Sequence, residues 1–121
     1  MKTILLVEDI ENVRTTLKDI LELKGYKVIE AKNTSDGLKK LKANKQINLI
    51  VTDTSMPPGR NGYQFCNEIK NVQKLDLPVI IYTATYEIID PMKAKDAGAD
   101  DFIVKGTDPS EVIKAIKKYL K

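Results

Sequence analysis

Five short apolar segments alternate with longer amphipathic segments along the chain. The apolar segments have the length of strands and are rich in isoleucine and valine, at residues 4–7, 27–29, 47–51, 79–82 and 102–104. Continuous apolar runs of this length predict strands that are buried on both faces of a parallel sheet.

The segments between the strands have helical periodicity, with one apolar and one charged face. Their apolar positions are Val13, Leu17, Ile20 and Leu21, then Leu38 and Leu41, then Phe65 and Ile69, and finally Val112, Ile113, Ile116 and Leu120. Another helix is expected between residues 83 and 98, shortened by Pro91. The alternation predicts an α/β fold, a doubly wound three-layer sandwich with five helices around a five-stranded parallel sheet.

Local signals mark two helix boundaries. Gly25 is predicted to follow the C-terminus of the first helix. The last helix is predicted to begin with Asp108 as N-cap, Pro109 at the first helical position and Glu111 at the third.

Composition limits the class of protein. The 121 residues are 42% apolar and 31% charged, which predicts one soluble globular domain over residues 1–121, with no output domain. The net charge of +3 comes from lysines that are spread along the sequence, so a nucleic-acid partner is not favoured. Acids cut the opening apolar run short, so we expect neither a signal peptide nor a membrane span there.

Two residue types narrow the chemistry. Cys66 is the only cysteine, so no internal disulfide can form, and we expect a buried thiol in a cytoplasmic protein. Histidine is absent, which removes the commonest general base, the usual serine and cysteine triads and most zinc sites. Any chemistry therefore depends on carboxylates, hydroxyls and lysines.

Polar side chains follow or end four of the predicted strands. Glu8 and Asp9 come after the first strand, Asp53 after the third, Thr83 at the fourth and Lys105 at the fifth. The carboxyl ends of parallel strands share one edge of a sheet, where α/β proteins bind ligands. Three carboxylates in one crevice need a cation, and Mg²⁺ suits oxygen ligands and a phosphate substrate. Taken singly, these residues are also common as helix caps or surface side chains.

At this point the sequence resembles the receiver domains of two-component response regulators over essentially its whole length. The resemblance is carried by the motifs ILLVED, LIVTDTSMP, VIIYTA and AGADDFIVK. It implies the receiver fold, related to the flavodoxin-like class, with strand order 2-1-3-4-5.

The resemblance also implies a phosphorylation site with a metal ion. Asp53 would be the phosphoacceptor, Asp9 a direct Mg²⁺ ligand, Glu8 a ligand acting mainly through water, and Ser55 a ligand through its backbone carbonyl. Such a domain catalyses its own aspartyl phosphorylation and dephosphorylation but is not a turnover enzyme in the usual sense.

A further set of residues resembles the family's switch. Thr83 would turn its hydroxyl toward the phosphoryl group, Ala84 would leave it space, and Lys105 would pair with it. Phe102 matches the aromatic that moves inward with the switch, although a role as a core aromatic suits the sequence equally well. Thr85 and Ser55 are both small, which implies an aspartyl phosphate that is not strongly shielded from water.

The implied partners are proteins. They are a sensor histidine kinase or histidine phosphotransfer protein, a downstream target or output domain, and a second copy in a phosphorylation-dependent homodimer. Direct binding to nucleic acid or membrane is not expected.

The sequence departs from the family pattern at two places, and three other interpretations stay open. Gly106 stands where the family usually has proline, and the segment from Met56 to Gly62 is one residue longer than usual. One alternative is a degenerate receiver that docks partners without phosphorylation. The others are a flavin or mononucleotide binder, disfavoured by the acidic loop after the first strand, and an aspartyl-phosphate hydrolase, disfavoured by Ser55 at the place of a second acid.

Overall fold

A computed structural model of the chain describes residues 1–54, 61–84, 95–105 and 109–120. For Thr83, Ala84 and Lys105 only the backbone is described. The predicted loop from Met56 to Arg60 and the predicted positions of Ser55, Gly106 and Asp108 lie outside these residues.

Five strands form one parallel sheet in the order β2-β1-β3-β4-β5, which confirms the predicted order. Each predicted apolar run lies within a strand, and most of the strands extend one or two residues further. Their bounds are β1 Thr3–Val7, β2 Lys27–Ala31, β3 Ile47–Thr52, β4 Val79–Ala84 and β5 Asp101–Lys105.

The described residues contain four α-helices, so the prediction of five is wrong for this part of the chain. They are α1 Glu11–Leu23, α2 Thr34–Ala43, α3 Gly62–Asn67 and α4 Ser110–Tyr119. The other predicted helix was expected between β4 and β5. In that segment Lys95 and Asp96 are helical, and residues 85–94 are not among those described. None of the described helices combines the length and the apolar composition needed to cross a membrane.

The two predicted helix boundaries have different outcomes. Gly25 follows the α1 cap with φ +94°, the left-handed conformation that favours glycine after a helix. At α4 the prediction is wrong by one residue, because the helix begins at Ser110 and Pro109 precedes it. The Pro109 carbonyl accepts the Ile113 N–H at 3.2 Å, so the proline still starts the hydrogen-bond ladder.

The helix after β3 changes its winding. α3 opens with a capping box between Asn61 and Gln64, in which each side chain accepts the other's N–H at 2.9 Å. It continues into a π-helix, Glu68–Val72, which ends with a bond from the Gln73 N–H to the Glu68 carbonyl at 2.8 Å. The predicted apolar face is confirmed, since Phe65 and Ile69 are fully buried.

The sheet is buried on both faces, as alternation along β1 illustrates: Ile4 and Leu6 point to one face, and Leu5 and Val7 to the other. The first face packs α1 and α4 through Leu17, Leu21, Val112, Ile113, Ala115 and Ile116. The second packs α2 and α3 through Leu41, Phe65 and Cys66, which confirms the buried thiol. The sheet thus lies between two helical layers.

Candidate functional site

The acidic residues lie at the carboxyl edge, at the ends of the two central strands. β1 ends at Val7, so Glu8 and Asp9 follow it, and β3 ends at Thr52, so Asp53 follows there. Val7 and Thr52 are paired in the sheet, and the Asp53 N–H donates to the Val7 carbonyl at 3.0 Å. The parallel register therefore places the two acidic segments side by side.

The three carboxylates form one cluster. One oxygen from each of Glu8, Asp9 and Asp53 lies within 4.8 Å of the others. Glu8 is only 3% and Asp53 only 5% exposed, whereas Asp9 is more open to solvent. Two buried carboxylates and a third at the surface therefore concentrate negative charge at this edge of the sheet.

Thr54 sets the orientation of the Asp53 carboxylate. Its backbone N–H donates to Asp53 Oδ1 at 2.6 Å, and its hydroxyl donates to the same oxygen at 3.5 Å. The neighbouring Thr52 hydroxyl donates to the Asp53 carbonyl at 3.1 Å. The bond from Thr52 holds the backbone of Asp53, and the bonds from Thr54 hold its side chain. Hydrogen bonds to a carboxylate are stronger than those between neutral groups.

Arg14, one turn into α1, supports the other acidic segment. Its Nη1 donates to the Glu8 carbonyl at 2.8 Å, while its Nε pairs with Glu30 Oε1 on β2 at 3.3 Å. The Ile10 N–H donates to Glu8 Oε2 at 3.3 Å, and the Glu8 N–H donates to the Ala31 carbonyl at 3.0 Å. Helix α1 and strand β2 together thus fix the path of Glu8.

Gly62 makes the closest backbone approach to Asp53. Its N–H donates to the Thr54 carbonyl at 2.8 Å, which closes the loop after the acid. A Cβ atom at Gly62 would lie 2.9 Å from the carbonyl carbon of Asp53 and nearer still to the carbonyl oxygen. Only glycine allows the N-terminus of α3 to pack this closely against the acidic residue.

The other predicted residues are placed only in part. Thr83 and Lys105 lie near the carboxyl ends of the paired strands β4 and β5, in the register Thr83 to Val104 and Ala84 to Lys105. The description does not include their side chains, nor Ser55, so their predicted contacts stay predictions. Phe102 is partly buried against the α2/α3 core.

The donor set fits a hard divalent cation. Octahedral Mg²⁺ binds oxygens at about 2.1 Å, which places its ligands roughly 3–4 Å apart. The spacing of at most 4.8 Å in the acidic cluster needs only a small movement of exposed Asp9, or a water bridging to buried Glu8. The chain has no histidine, and its one cysteine, Cys66, is buried in the core, which favours Mg²⁺ over zinc.

Comparison with known proteins agrees with this geometry. The family model described as response regulator receiver domain matches residues 4–117. The chain belongs to this family. Its sheet order, 2-1-3-4-5, is the order that the resemblance implied.

The relatives of this receiver domain include transcriptional regulators. It is 37% identical over 120 residues to the alkaline phosphatase synthesis transcriptional regulatory protein PhoP of Bacillus subtilis, covering 99% of this chain and 49% of PhoP. ResD of the same organism is 36% identical over 98% of this chain and 48% of ResD. This receiver domain thus spans about half the length of the curated relatives it matches.

Solved structures match the fold closely. The response regulator TrrA of Thermotoga maritima, in complex with Mg²⁺-BeF, has a TM-score of 0.87 and 33% identity, over 98% of this chain and 99% of that one. A structure of histidine kinase ThkA in complex with TrrA matches with a TM-score of 0.87 and 34% identity over the whole of both chains.

Sequence reasoning missed two residues that shape the site of this receiver domain. Arg14 had a weak signal, a lone arginine one turn after the acidic pair. Thr54 had none, since its role depends on the local backbone turn that aims its N–H at Asp53.

Proposed function

We propose that this receiver domain accepts a phosphoryl group on Asp53 from a phosphohistidine of a partner protein, in a Mg²⁺-dependent reaction, and thereby switches a protein-binding surface. The observation that carries the proposal is the cluster of Glu8, Asp9 and Asp53 at the carboxyl edge. Of the three, Asp53 has its carboxylate oriented by the bonds from Thr54.

In the proposed reaction, a carboxylate oxygen of Asp53 attacks the phosphorus of the phosphohistidine in line with the leaving nitrogen. A P–O bond forms, the P–N bond breaks, and the bonding electron pair stays on the imidazole nitrogen of the partner. Positioning and charge neutralisation carry most of such a reaction. The bonds from Thr54 and the close approach of Gly62 hold the attacking group in place.

Mg²⁺ would be held by the carboxylates of Asp9 and Asp53, by Glu8 through water, and by the backbone carbonyl of Ser55. When bound there, it supplies positive charge that offsets the negative charge of the incoming phosphoryl oxygens. Lys105 is proposed to pair with the transferred group, and Thr83 to turn its hydroxyl toward it. The resulting shift in population between two states of the domain is the proposed signal.

The proposed partners follow from the same chemistry. A sensor histidine kinase or a histidine phosphotransfer protein would supply the phosphoryl group. A downstream protein or an output domain would respond to it, and a phosphorylation-dependent homodimer is part of the proposal. We further propose that residues 1–121 form one receiver domain and that it works in the cytoplasm.

The test is incubation with a small phosphodonor and Mg²⁺, followed by intact-mass measurement. The wild-type chain is expected to gain one phosphoryl adduct, and Asp53→Asn none. Asp9→Asn should slow formation of the adduct unless the Mg²⁺ concentration is raised. Asp19→Asn, an exposed acid on α1, is the matched control and should behave as wild type.

Absence of an adduct on the wild-type chain, or an adduct that persists in Asp53→Asn, would refute the proposal. The first outcome would favour the alternative, a receiver that docks partners without phosphorylation. The complete acidic cluster argues against that alternative, because a docking module has no need to keep three carboxylates together at an energetic cost.

A further inference from the structure

A second recess lies away from the acidic cluster, between α2 and the segment that follows the π-helix. It has a volume of about 580 Å³, within the range of roughly 300–1,000 Å³ typical of ligand pockets. Leu38, Leu41 and Leu75 form its apolar part, and Lys39, Lys42 and Lys45 form its charged part. We call it the α2 groove.

The end of the π-helix builds one wall of the α2 groove. Lys74 adopts φ +54°, a left-handed conformation uncommon for a residue with a side chain. The next N–H, from Leu75, donates to the Ile69 carbonyl at 2.9 Å. This turn places Leu75, which is 36% exposed, at the groove beside buried Leu41.

The floor of the α2 groove is formed by residues of the hydrophobic core and residues that pack against it. Leu41 belongs to the α2/α3 core, and Leu38 packs against it while staying partly exposed. A narrower recess of about 210 Å³ continues from Leu41, Lys45 and Leu75 toward Asp76. Leu41, Lys45 and Leu75 therefore border both recesses.

The charged side chains that line the α2 groove itself are all lysines, and Asp76 lies in the adjoining narrower recess. Residues 37–52 contain four lysines and no acid. Lys39, Lys42 and Lys45 are exposed, and in the described part of the chain no ion pair joins them to an acid. Lys39 and Lys42 lie one turn apart on α2 and Lys45 follows the helix, so all three border the recess, whose other side is formed by Gln73 and Leu75.

We propose that the α2 groove binds an acidic amphipathic segment of a partner protein, with apolar side chains of that segment on Leu38, Leu41 and Leu75 and its carboxylates on the three lysines. Such a surface matches an amphipathic helix, whose leucines recur on one face with acids beside them. Complementary charge at the rim steers association and selects the partner.

Charge and shape together favour this occupant. None of the described residues that line the α2 groove is aromatic, and single-stranded nucleic acids bind largely by stacking on aromatic side chains. An apolar floor recessed below the lysines also suits inserted side chains better than a flat anionic membrane surface. The proposal does not depend on phosphorylation, because the groove shares no residue with the acidic cluster.

The probe is a fluorescein-labelled synthetic peptide of about 15 residues, long enough to form a helix on binding. It carries leucines at positions i, i+3, i+4 and i+7, and glutamates between them. Fluorescence anisotropy measures its affinity for the full chain, and ¹⁵N NMR shifts locate it. We expect shifts at Leu38, Leu41 and Leu75.

Two variants and one control test the site. The triple variant Lys39→Gln, Lys42→Gln, Lys45→Gln and the single variant Leu75→Asp should each weaken binding about tenfold or more. The control replaces the exposed lysines 114, 117 and 118 of α4 by glutamine, with the same change in net charge, and should stay within about twofold of wild type.

Four outcomes would overturn the proposal. The first is that the peptide does not bind the wild-type chain, and the second is that the α4 control weakens binding as much as the variants of the α2 groove do. The third is that a peptide with lysine in place of glutamate binds with the same affinity, and the fourth is that the NMR shifts lie outside the α2 groove. Binding to anionic phosphatidylglycerol vesicles or to a single-stranded oligonucleotide, without binding to the peptide, would also count against it. Far-UV circular dichroism checks that each variant is folded.

Discussion

The replacement Gly62→Ala tests how closely the N-terminus of α3 must approach the segment that contains Asp53. The added Cβ would lie 2.9 Å from the Asp53 carbonyl carbon and 3.0 Å from Thr54 Cα, both of them backbone atoms. The backbone must therefore move by roughly 1 Å to restore ordinary van der Waals separation. The bond from the Gly62 N–H to the Thr54 carbonyl, 2.8 Å long, would be strained or lost.

The expected cost follows from two opposing effects. Overpacking of a close contact costs about 1–3 kcal/mol, and the better helix propensity of alanine returns at most about 1 kcal/mol. We expect the free energy of unfolding to fall by about 2 kcal/mol, which lowers the urea midpoint by about 1 M. Displacement of Asp53 by about 1 Å should also slow its phosphorylation by up to ~100-fold.

Gly37→Ala is the matched control. Its Cβ would meet side-chain atoms and no backbone atom among the nearest three, namely the Phe65 ring at 3.0 and 3.3 Å and a Val7 methyl at 3.3 Å, so a shift of a few tenths of an ångström in these side chains is enough. Alanine also stabilises the interior of α2, so the net change should stay within about 1 kcal/mol. Urea unfolding and the rate of phosphorylation by a small phosphodonor are measured on both variants. If Gly62→Ala equals wild type in both assays, the argument from close backbone approach is wrong.

Three further predictions concern stability. Burial raises the pKa of the Cys66 thiol to about 12, with Lys70 lowering and Asp100 raising it to lesser extents. Because the folded state holds this proton more tightly than the unfolded state, the free energy of unfolding should decline between about pH 9 and 12. Urea unfolding at several pH values should show a smaller decline for Cys66→Ala. Lys74→Gly should raise the free energy of unfolding by about 1 kcal/mol, because glycine adopts φ +54° without steric cost, and a loss of stability would contradict this. Asp100→Ala should lower the free energy of unfolding by about 2 kcal/mol. The reason is that Asp100 Oδ2 accepts the Val79 N–H at 2.8 Å and pairs with Lys70 at 2.7 Å on a partly exposed surface. An unchanged thermal midpoint would show instead that water replaces both contacts.

Much of the fold was predictable because it depends on local patterns. Buried strands need continuous apolar runs, and all five runs became strands of one sheet. The order of the strands was implied by the resemblance to receiver domains. Gly25 correctly marked the end of α1, because glycine readily adopts the left-handed conformation found there. The π-helix was not predicted, since α-helical and π-helical turns bury Phe65 and Ile69 on the same face.

The candidate site was predictable only as a set of positions. Acids directly after strand-length apolar runs identified Glu8, Asp9 and Asp53, because parallel strands end at a common edge. The bonds from Arg14 to the Glu8 carbonyl and from Thr54 to Asp53 Oδ1 were not predictable. A hydrogen bond depends on the distance and angle between two atoms, and the pattern of residue types contains neither.

The sequence alone thus determined the strands, the sheet and the acids at its carboxyl edge, since hydrophobic periodicity and strand direction set all three. Tertiary packing decided that the three carboxylates come within 4.8 Å, that Gly62 packs against the backbone of Asp53, and that Leu75 joins the lysines of α2 in one groove. The physical reason is that these features join residues distant along the chain, and only the packed chain brings their atoms into contact.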